Sequence, residues 1–201
     1  MAVWGEPDMM PPAPDRMPLA AEGMRSAADQ RRLAADGMPP VPDARERKGI
    51  VVGIGNELRA DDAAGMEVAR LLAHRSAVPV ILAGDVPENY VGVVRSRSPD
   101  WILLIDAVDF GSTPGATLIL RMNGAQPAFA PTQIPSTHCA SLSLFARYLG
   151  AETGAEVWLL GIQPKSLELG CPMSVEVAGA VEPAVCLAET WAERRSAAME
   201  V

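Results

Sequence analysis

The chain has 201 residues, 49% of them hydrophobic, so it is long enough for one domain with a sizeable core. Its formal net charge of -8 argues against a nucleic-acid or anionic-membrane partner, and no apolar run approaches the roughly 20 residues that cross a bilayer. Three widely spaced cysteines without a CxxC motif, and an N-terminus without an apolar signal segment, predict a reduced, cytoplasmic protein.

Residues 1–48 carry eight prolines and six methionines, interleaved with acids and arginines and with little periodic spacing. Such a segment buries too little apolar surface to fold alone. We therefore predict a disordered N-terminal arm over residues 1–48, followed by a single α/β domain over residues 49–201.

The first predicted strand begins near Ile50 as an apolar run without polar alternation, which is typical of a buried parallel strand. Two glycines and an asparagine follow, and the paired acids Asp61 and Asp62 then open a helix that continues to about Arg75. Acidic residues suit the positive, N–H-donating start of a helix, so capping alone would explain the pair. The carboxyl ends of strands in open α/β sheets are also where ligands bind, which makes a chemical role the alternative.

Strands and helices continue to alternate along the chain. We predict strands over residues 79–83, 101–106, 116–121 and 156–161, and helices over residues 87–97, 140–148 and 175–194. The turn at residues 113–115 is so short that the fourth strand is predicted to run antiparallel to the third. This pattern predicts a three-layer α/β/α sandwich around a sheet of about five strands, mostly parallel with one antiparallel strand.

Three side chains are predicted to lie at one edge of this sheet: Asp62 after the first strand, Asp106 at the end of the third, and His138 before the following helix. Two carboxylates and an imidazole suit a borderline divalent ion such as nickel or zinc. Each residue also has a structural interpretation, since Asp62 can cap its helix, Asp106 can accept hydrogen bonds from loop amides, and His138 can be satisfied at a helix start. Both interpretations stay open on these residues alone.

Other chemistries are less well supported by the sequence. The segment GIGN at residues 53–56 lacks the third glycine of a dinucleotide site and the GK[ST] of a phosphate loop, and a serine-hydrolase elbow is absent. Cys139 directly follows His138, and adjacent side chains generally point apart, so a thiol–imidazole pair is not favoured. His74 falls late in the first helix, away from the predicted edge.

The stretch GIGNELRADDAAG resembles the N-terminal signature of the [NiFe]-hydrogenase maturation proteases. Further segments continue the resemblance in order: VPENY, LLIDAVDFGSTPG, STHCASLSLF and LLGIQPKSLELGCPMS. The resemblance covers residues 49–194, and GIQP and PEN look most like the branch that serves formate-hydrogenlyase-type and related coenzyme-F420-type hydrogenases.

The resemblance implies an aspartic-type endopeptidase that removes the C-terminal extension of a hydrogenase large-subunit precursor after nickel insertion. The partner would be that precursor, the nickel would be presented by the substrate, other divalent ions could bind in vitro, and the protease would be a monomer. Asp62, Asp106 and His138 match the family's metal-binding positions and are its implied catalytic residues. The residues leave open whether this site also activates water, because neither HExxH nor a separate general-base glutamate is visible. A non-catalytic nickel-binding chaperone or metal-sensing module is the alternative, since the same three ligands would suffice for it.

Two positions depart from the family pattern. Leu82 stands where relatives commonly have an aspartate at the end of the second strand, and nearby Asp85 is the candidate replacement. Ala63 stands after the acidic pair, where glycine is frequent.

Overall fold

The structure, a computed structural model, describes residues 46–123 and 137–197, and for residues 137–140 it describes the backbone alone. Residues 1–45 lie outside this range, so the disordered arm stays a prediction. Within the described part of the chain, no helix combines the length and the apolar character that a membrane span needs.

Strands and helices alternate along the described chain, as the sequence predicts. In chain order they are β1 (Gly49–Ile54), a 3-10 turn (Ala60–Ala63), α1 (Ala64–Ala73), β2 (Val80–Gly84), a second 3-10 turn (Pro87–Tyr90), α2 (Val91–Ser96), β3 (Trp101–Ala107), β4 (Thr117–Arg121), α3 (Thr137–Thr153), β5 (Glu156–Ile162) and α4 (Val175–Ser196).

The five strands form one twisted sheet in the order β2-β1-β3-β5-β4. The first four in this order are parallel, and β4 is antiparallel to β5. The predicted fold class is therefore confirmed, and so is the direction of β4. However, the strand that pairs with β4 is β5, which lies between it and β3. The turn before β4 crosses the end of β5, where Gly115 N donates to the Gln163 carbonyl (2.9 Å) and Gln163 N donates to the Ala116 carbonyl (2.8 Å).

The central strands are buried on both faces, and each face has its own helical cover. Alternate residues of a strand point to opposite faces. Val52 and Leu104 pack in a cluster with α2 and α3, whereas Val51 and Leu103 pack in a cluster with α1 and α4. Two helical layers around one sheet explain why β1 and β3 read as unbroken apolar runs in the sequence.

Three of the chain's four tryptophans meet at the amino ends of β3 and β5. The Trp101 and Trp191 rings are 5.2 Å apart in a T-shaped arrangement, and the Trp158 and Trp191 rings are 5.5 Å apart. The Arg195 guanidinium lies 4.2 Å from the Trp158 ring centre, and its Nη1 donates to Glu156 at 3.0 Å. This aromatic cluster fixes the end of α4 against the amino edge of the sheet.

At the opposite, carboxyl edge, α1 approaches the sheet through Gly65. A Cβ atom added there would lie closer than 3.0 Å to the carbonyl oxygens of Ile54 and Ile105 and to the Cα of Asp106. All three neighbours are backbone atoms, so they cannot turn aside. Gly65 therefore allows the start of α1 to lie directly on the ends of β1 and β3.

We predict that Gly65→Ala destabilises the protein by about 1–3 kcal/mol or more, because the added methyl group must push α1 away from two strand ends. Urea unfolding followed by circular dichroism measures the loss. Gly92→Ala is the matched control, since it also lies in a helix but nothing lies within 4 Å of its added Cβ. There the change should be neutral or stabilising by up to about 1 kcal/mol. Equal stability of the two variants would contradict the close approach at Gly65.

Candidate functional site at the carboxyl edge of the sheet

The three predicted site residues belong to elements that reach the carboxyl edge of the sheet. Asp62 lies in the 3-10 turn between β1 and α1, and Asp106 is the penultimate residue of β3, which pairs with β1 in parallel. His138 lies in the first turn of α3. That helix ends three residues before β5 begins, and its 17 residues span about 25 Å, the length of a strand of seven. The first turn of α3 is therefore placed toward the carboxyl edge, while the His138 side chain lies outside the described part of the structure.

Asp106 is a buried carboxyl group, with 9% of its surface exposed. Burial is the main cause that raises its pKa to about 8, and the nearby charge of Asp62 raises the pKa further against one hydrogen bond from the Ala107 amide. Asp62 is therefore close enough to Asp106 to act on it electrostatically, while the assignment of both as site residues stays a prediction. Without a cation, this raised pKa favours the protonated form of Asp106 at neutral pH.

Asp62 is oriented by the loop that follows β1. The Asn56 amide N–H donates to Asp62 Oδ2 at 3.1 Å, while the Asn56 side chain accepts from Leu58 N at 2.9 Å and donates to Asp85 Oδ2 at 3.3 Å. Asn56 therefore joins Asp85 to Asp62. Leu82 lies in the middle of β2, whereas Asp85 directly follows β2 and is linked to Asp62 through the side chain and the backbone amide of Asn56.

The backbone around the acidic pair is tightly constrained. Gly55 has a φ of 135°, and a side chain there would collide with the carbonyl oxygen of Asp62. Ala60 is buried and has a φ of 43°, which costs a residue with a Cβ on the order of 1 kcal/mol. Ala63, in contrast, has φ -69° and ψ -14°, ordinary right-handed values that an alanine adopts without strain.

Asp61 has a different role from Asp62, although the two are adjacent. It is fully buried, and its carboxylate accepts hydrogen bonds from Lys165 N (2.8 Å), Ser166 N (3.0 Å), Ser174 N (2.6 Å) and Ser174 Oγ (3.0 Å). Burial acts to raise the pKa of Asp61, but these hydrogen bonds outweigh it, and the net pKa is lowered. The sequence pattern predicts only a helix start for the pair and gives no sign of this anchor.

Gln163 is a further buried polar side chain, and the sequence pattern did not point to it as a site residue. Its Oε1 accepts from Phe110 N (2.9 Å) and Ser112 N (3.1 Å), and its Nε2 donates to Asp109 Oδ1 (2.9 Å) and to the Pro164 carbonyl (3.2 Å). The side chain thus ties the loop after β3 to the end of β5. The signal was present in the motif GIQP, where a glutamine follows an unbroken apolar strand.

Among the described side chains, no three histidine, cysteine or acidic groups converge as a metal site. Asp62 and Asp106 supply two of the predicted donors, and the third belongs to His138. The ligand set therefore stays a prediction. Cys171 and Cys186 are exposed free thiols, in keeping with the expected reduced state.

A cavity of about 950 Å³ opens elsewhere, at the amino edge of the sheet. Lys48, Pro79, Pro99 and Glu193 are among its lining residues, and none of the candidate site residues contributes to it. Because open α/β sheets bind ligands at the carboxyl ends of their strands, the candidate site is placed at the opposite edge, where Asp62 and Asp106 lie.

Comparison with known proteins identifies the family. A family model described as hydrogenase maturation protease (HycI) matches residues 65–191, a range that includes Asp106 and His138. The hydrogenase 3 maturation protease of Escherichia coli (strain K12) is 32% identical over 147 residues, which are 71% of this chain and 89% of that protein. The chain belongs to the hydrogenase maturation protease family. It is therefore a hydrolase, an endopeptidase, as the sequence motifs implied.

Solved structures agree with this assignment. The [NiFe] hydrogenase maturation protease HycI from Thermococcus kodakarensis KOD1 matches with a TM-score of 0.57 and 32% identity, over 75% of this chain and 93% of that one. The maturation protease HybD from the same organism matches with a TM-score of 0.60 and 27% identity, over 72% and 99%. This protease thus shares its α/β fold with them.

The raised pKa of Asp106 predicts a stability that falls with pH in the metal-free protease. The folded protein keeps the Asp106 proton up to about pH 8, whereas the unfolded chain releases it near 3.8. Between these values the unfolded state binds fewer protons, so this group lowers the free energy of unfolding by on the order of 1 kcal/mol per pH unit. Asp106→Asn should therefore be more stable than the unaltered protein, by more at pH 8 than at pH 5. Urea unfolding with a chelator present measures the difference.

Asp109→Asn is the control of opposite sign. Hydrogen bonds from Gln163 and the Gly111 amide lower the pKa of Asp109, so its contribution is present above its unfolded pKa and is lost as the pH falls. That variant should gain no stability at high pH. A pH-independent effect of Asp106→Asn would show that Asp106 is not a buried carboxyl beside a second charge.

Proposed function

We propose that this protease removes the C-terminal extension of a [NiFe]-hydrogenase large-subunit precursor after nickel insertion. Asp62, Asp106 and His138 recognise the nickel that the precursor presents, and the peptide bond beyond the nickel site is then cleaved. The motifs GIQP and PEN favour a precursor from the formate-hydrogenlyase-type branch. Cytoplasmic location and a monomeric state stay predictions.

The observation that carries this proposal is the pair of carboxyl groups at the carboxyl edge. Burial and the charge of Asp62 both disfavour ionisation of Asp106, so two ionised carboxylates at this edge are unfavourable unless a positive charge lies beside them. A divalent cation that displaces the Asp106 proton removes this conflict. The pair therefore favours a cation over a neutral ligand at this edge.

The donor chemistry fits a nickel centre held by the substrate. Two carboxylate oxygens and one imidazole nitrogen suit a borderline divalent ion, and three protein ligands leave positions for groups of the precursor. A site built for recognition needs such incomplete coordination, because the precursor itself must hold the ion.

The same pair also meets the chemical requirement of an aspartic-type mechanism. Such a mechanism needs one protonated and one ionised carboxyl group side by side, and the pKa of Asp106, about 8, provides the protonated partner of Asp62 at neutral pH. Nickel and this proton compete for Asp106. We therefore propose that the pair first recognises nickel. Asp106 can take part in proton transfer during hydrolysis only after it is released from the ion.

The decisive experiment incubates the purified protease with a cognate precursor in nickel-loaded and nickel-free forms. We predict that only the loaded precursor is shortened, as mass spectrometry of its C-terminus would show. His138→Ala should abolish this cleavage, or reduce it by at least about 100-fold, because it removes the only nitrogen donor of the proposed set.

His74→Ala is the matched control for the histidine, since His74 is exposed at the end of α1 and is the chain's other histidine. It should cleave normally. Binding of the loaded precursor without any shortening would instead favour the chaperone or sensor alternative. A folded His138→Ala variant that still trims the precursor would remove His138 from the site.

A further inference from the structure

The segment between β5 and α4, residues 163–174, crosses the carboxyl edge of the sheet. It leaves β5 next to Asp106, because Asp106 pairs with Gly161 and Ala107 with Ile162. It then reaches the turn after β1, where Lys165 N and Ser166 N donate to Asp61. In the sheet, β3 lies between β5 and β1. The segment must therefore pass the end of β3, the strand that carries Asp106.

This segment, which we call the crossing loop, has no helix or strand of its own and depends on anchors elsewhere. The first anchor is Asp61, which accepts from both its beginning and its end at Ser174. The second is Leu58, whose carbonyl accepts a hydrogen bond from Gly170 N at 2.7 Å. The backbone of Asp61 adds a further contact, since Asp61 N donates to the Ser166 carbonyl at 3.1 Å. Between these anchors, residues 168–172 are exposed to solvent.

The anchoring separates the two acids of the pair. The Asp61 carboxylate has no exposed surface and is used up by four hydrogen bonds to the crossing loop, so it is not available to a ligand. Asp62 accepts a hydrogen bond from the Asn56 amide, and its charge acts on the Asp106 carboxyl group. The 3-10 turn thus holds the crossing loop through Asp61 and places Asp62 at the carboxyl edge of the sheet.

The surface of the loop suits contact with an extended polypeptide. Leu169 at its tip is 66% exposed, and the neighbouring Leu58 is 69% exposed. The Gly170–Leu58 hydrogen bond brings the backbone next to Leu169 against the backbone of Leu58, in the loop that leads to the turn with Asp62. Apolar side chains on a fixed backbone are typical of a surface that orders a flexible peptide.

We propose that Asp61 is a positioning residue, which holds the crossing loop as a fixed wall for the substrate polypeptide beside Asp62 and Asp106. The inference rests on the proposed function, since it assigns the wall to the precursor's peptide. Loss of the anchor should weaken substrate binding more than the chemical step, because the reacting groups at Asp62 and Asp106 keep their own supports.

The test compares Asp61→Asn with the unaltered protease. When its oxygen replaces Oδ2, the amide of asparagine puts an N–H group against Ser174 N, where the carboxylate now accepts at 2.6 Å. We expect hydrogen exchange of the crossing-loop amides to rise about tenfold or more, KM for loaded precursor to rise about tenfold, and kcat to stay within about threefold. Ser174→Ala, which removes one of the four hydrogen bonds, should move exchange and KM in the same direction by less.

Glu156→Gln is the matched control, because Glu156 is also a carboxylate with several partners, Arg47, Arg121 and Arg195, but lies at the amino edge. It should lower the melting temperature and leave KM and loop exchange unchanged, which separates positioning from general stability.

Two results would overturn the inference. One is unchanged loop exchange and KM in Asp61→Asn, and the other is a loss of kcat at constant KM. If Asp61→Asn does not fold, the same criteria apply to Ser174→Ala. If the unaltered protease leaves loaded precursor intact, the proposed function is wrong and the substrate wall is wrong with it. If the unaltered protease cleaves normally and the KM of the Asp61→Asn variant is unchanged, the inference is wrong and the proposed function still stands.

Discussion

The structure depends on the close approach of one helix start to two strand ends. Gly65 lets α1 rest on the backbone of Ile54 and Ile105, and Gly55 lets the preceding turn fold back without a collision. This contact places the turn that carries Asp62 over the ends of β1 and β3. A side chain at Gly65 would push α1 away from the strand ends, and one at Gly55 would collide with the Asp62 carbonyl oxygen. The candidate site thus depends on the two glycines as well as on its acidic side chains.

The approach has an energetic cost that is concentrated at the carboxyl edge. A buried carboxyl faces a second acid, and Ala60 adopts a left-handed conformation next to them. The rest of the domain offsets this cost through apolar clusters on both faces of the sheet. Strain and like charge in one place, with ordinary packing elsewhere, is the distribution expected where function and stability compete.

Much of this fold could be predicted from the sequence because its strands are buried on both faces and read as unbroken apolar runs. The pairing of β4 with β5 could not be predicted. A short turn fixes the direction of β4, but it does not fix which strand β4 pairs with. Asp62 and Asp106 could be singled out as candidates because Asp62 lies in the turn after β1 and Asp106 lies at the end of β3. The role of Asp61 was missed because its partners, Lys165 and Ser174, lie 104 and 113 residues further along the chain. Local pattern cannot reveal a contact of that separation.

The tryptophan cluster at the amino edge gives the molecule a built-in optical reporter. Trp101 begins β3 and Asp106 lies five residues further on, about 17 Å away along the strand. Three indole rings packed on one another and on Arg195 should therefore change their emission when the sheet and α4 come apart, and should respond little to events at the acids. Intrinsic fluorescence would then report the integrity of the fold separately from the state of the site, without any label attached to the protein.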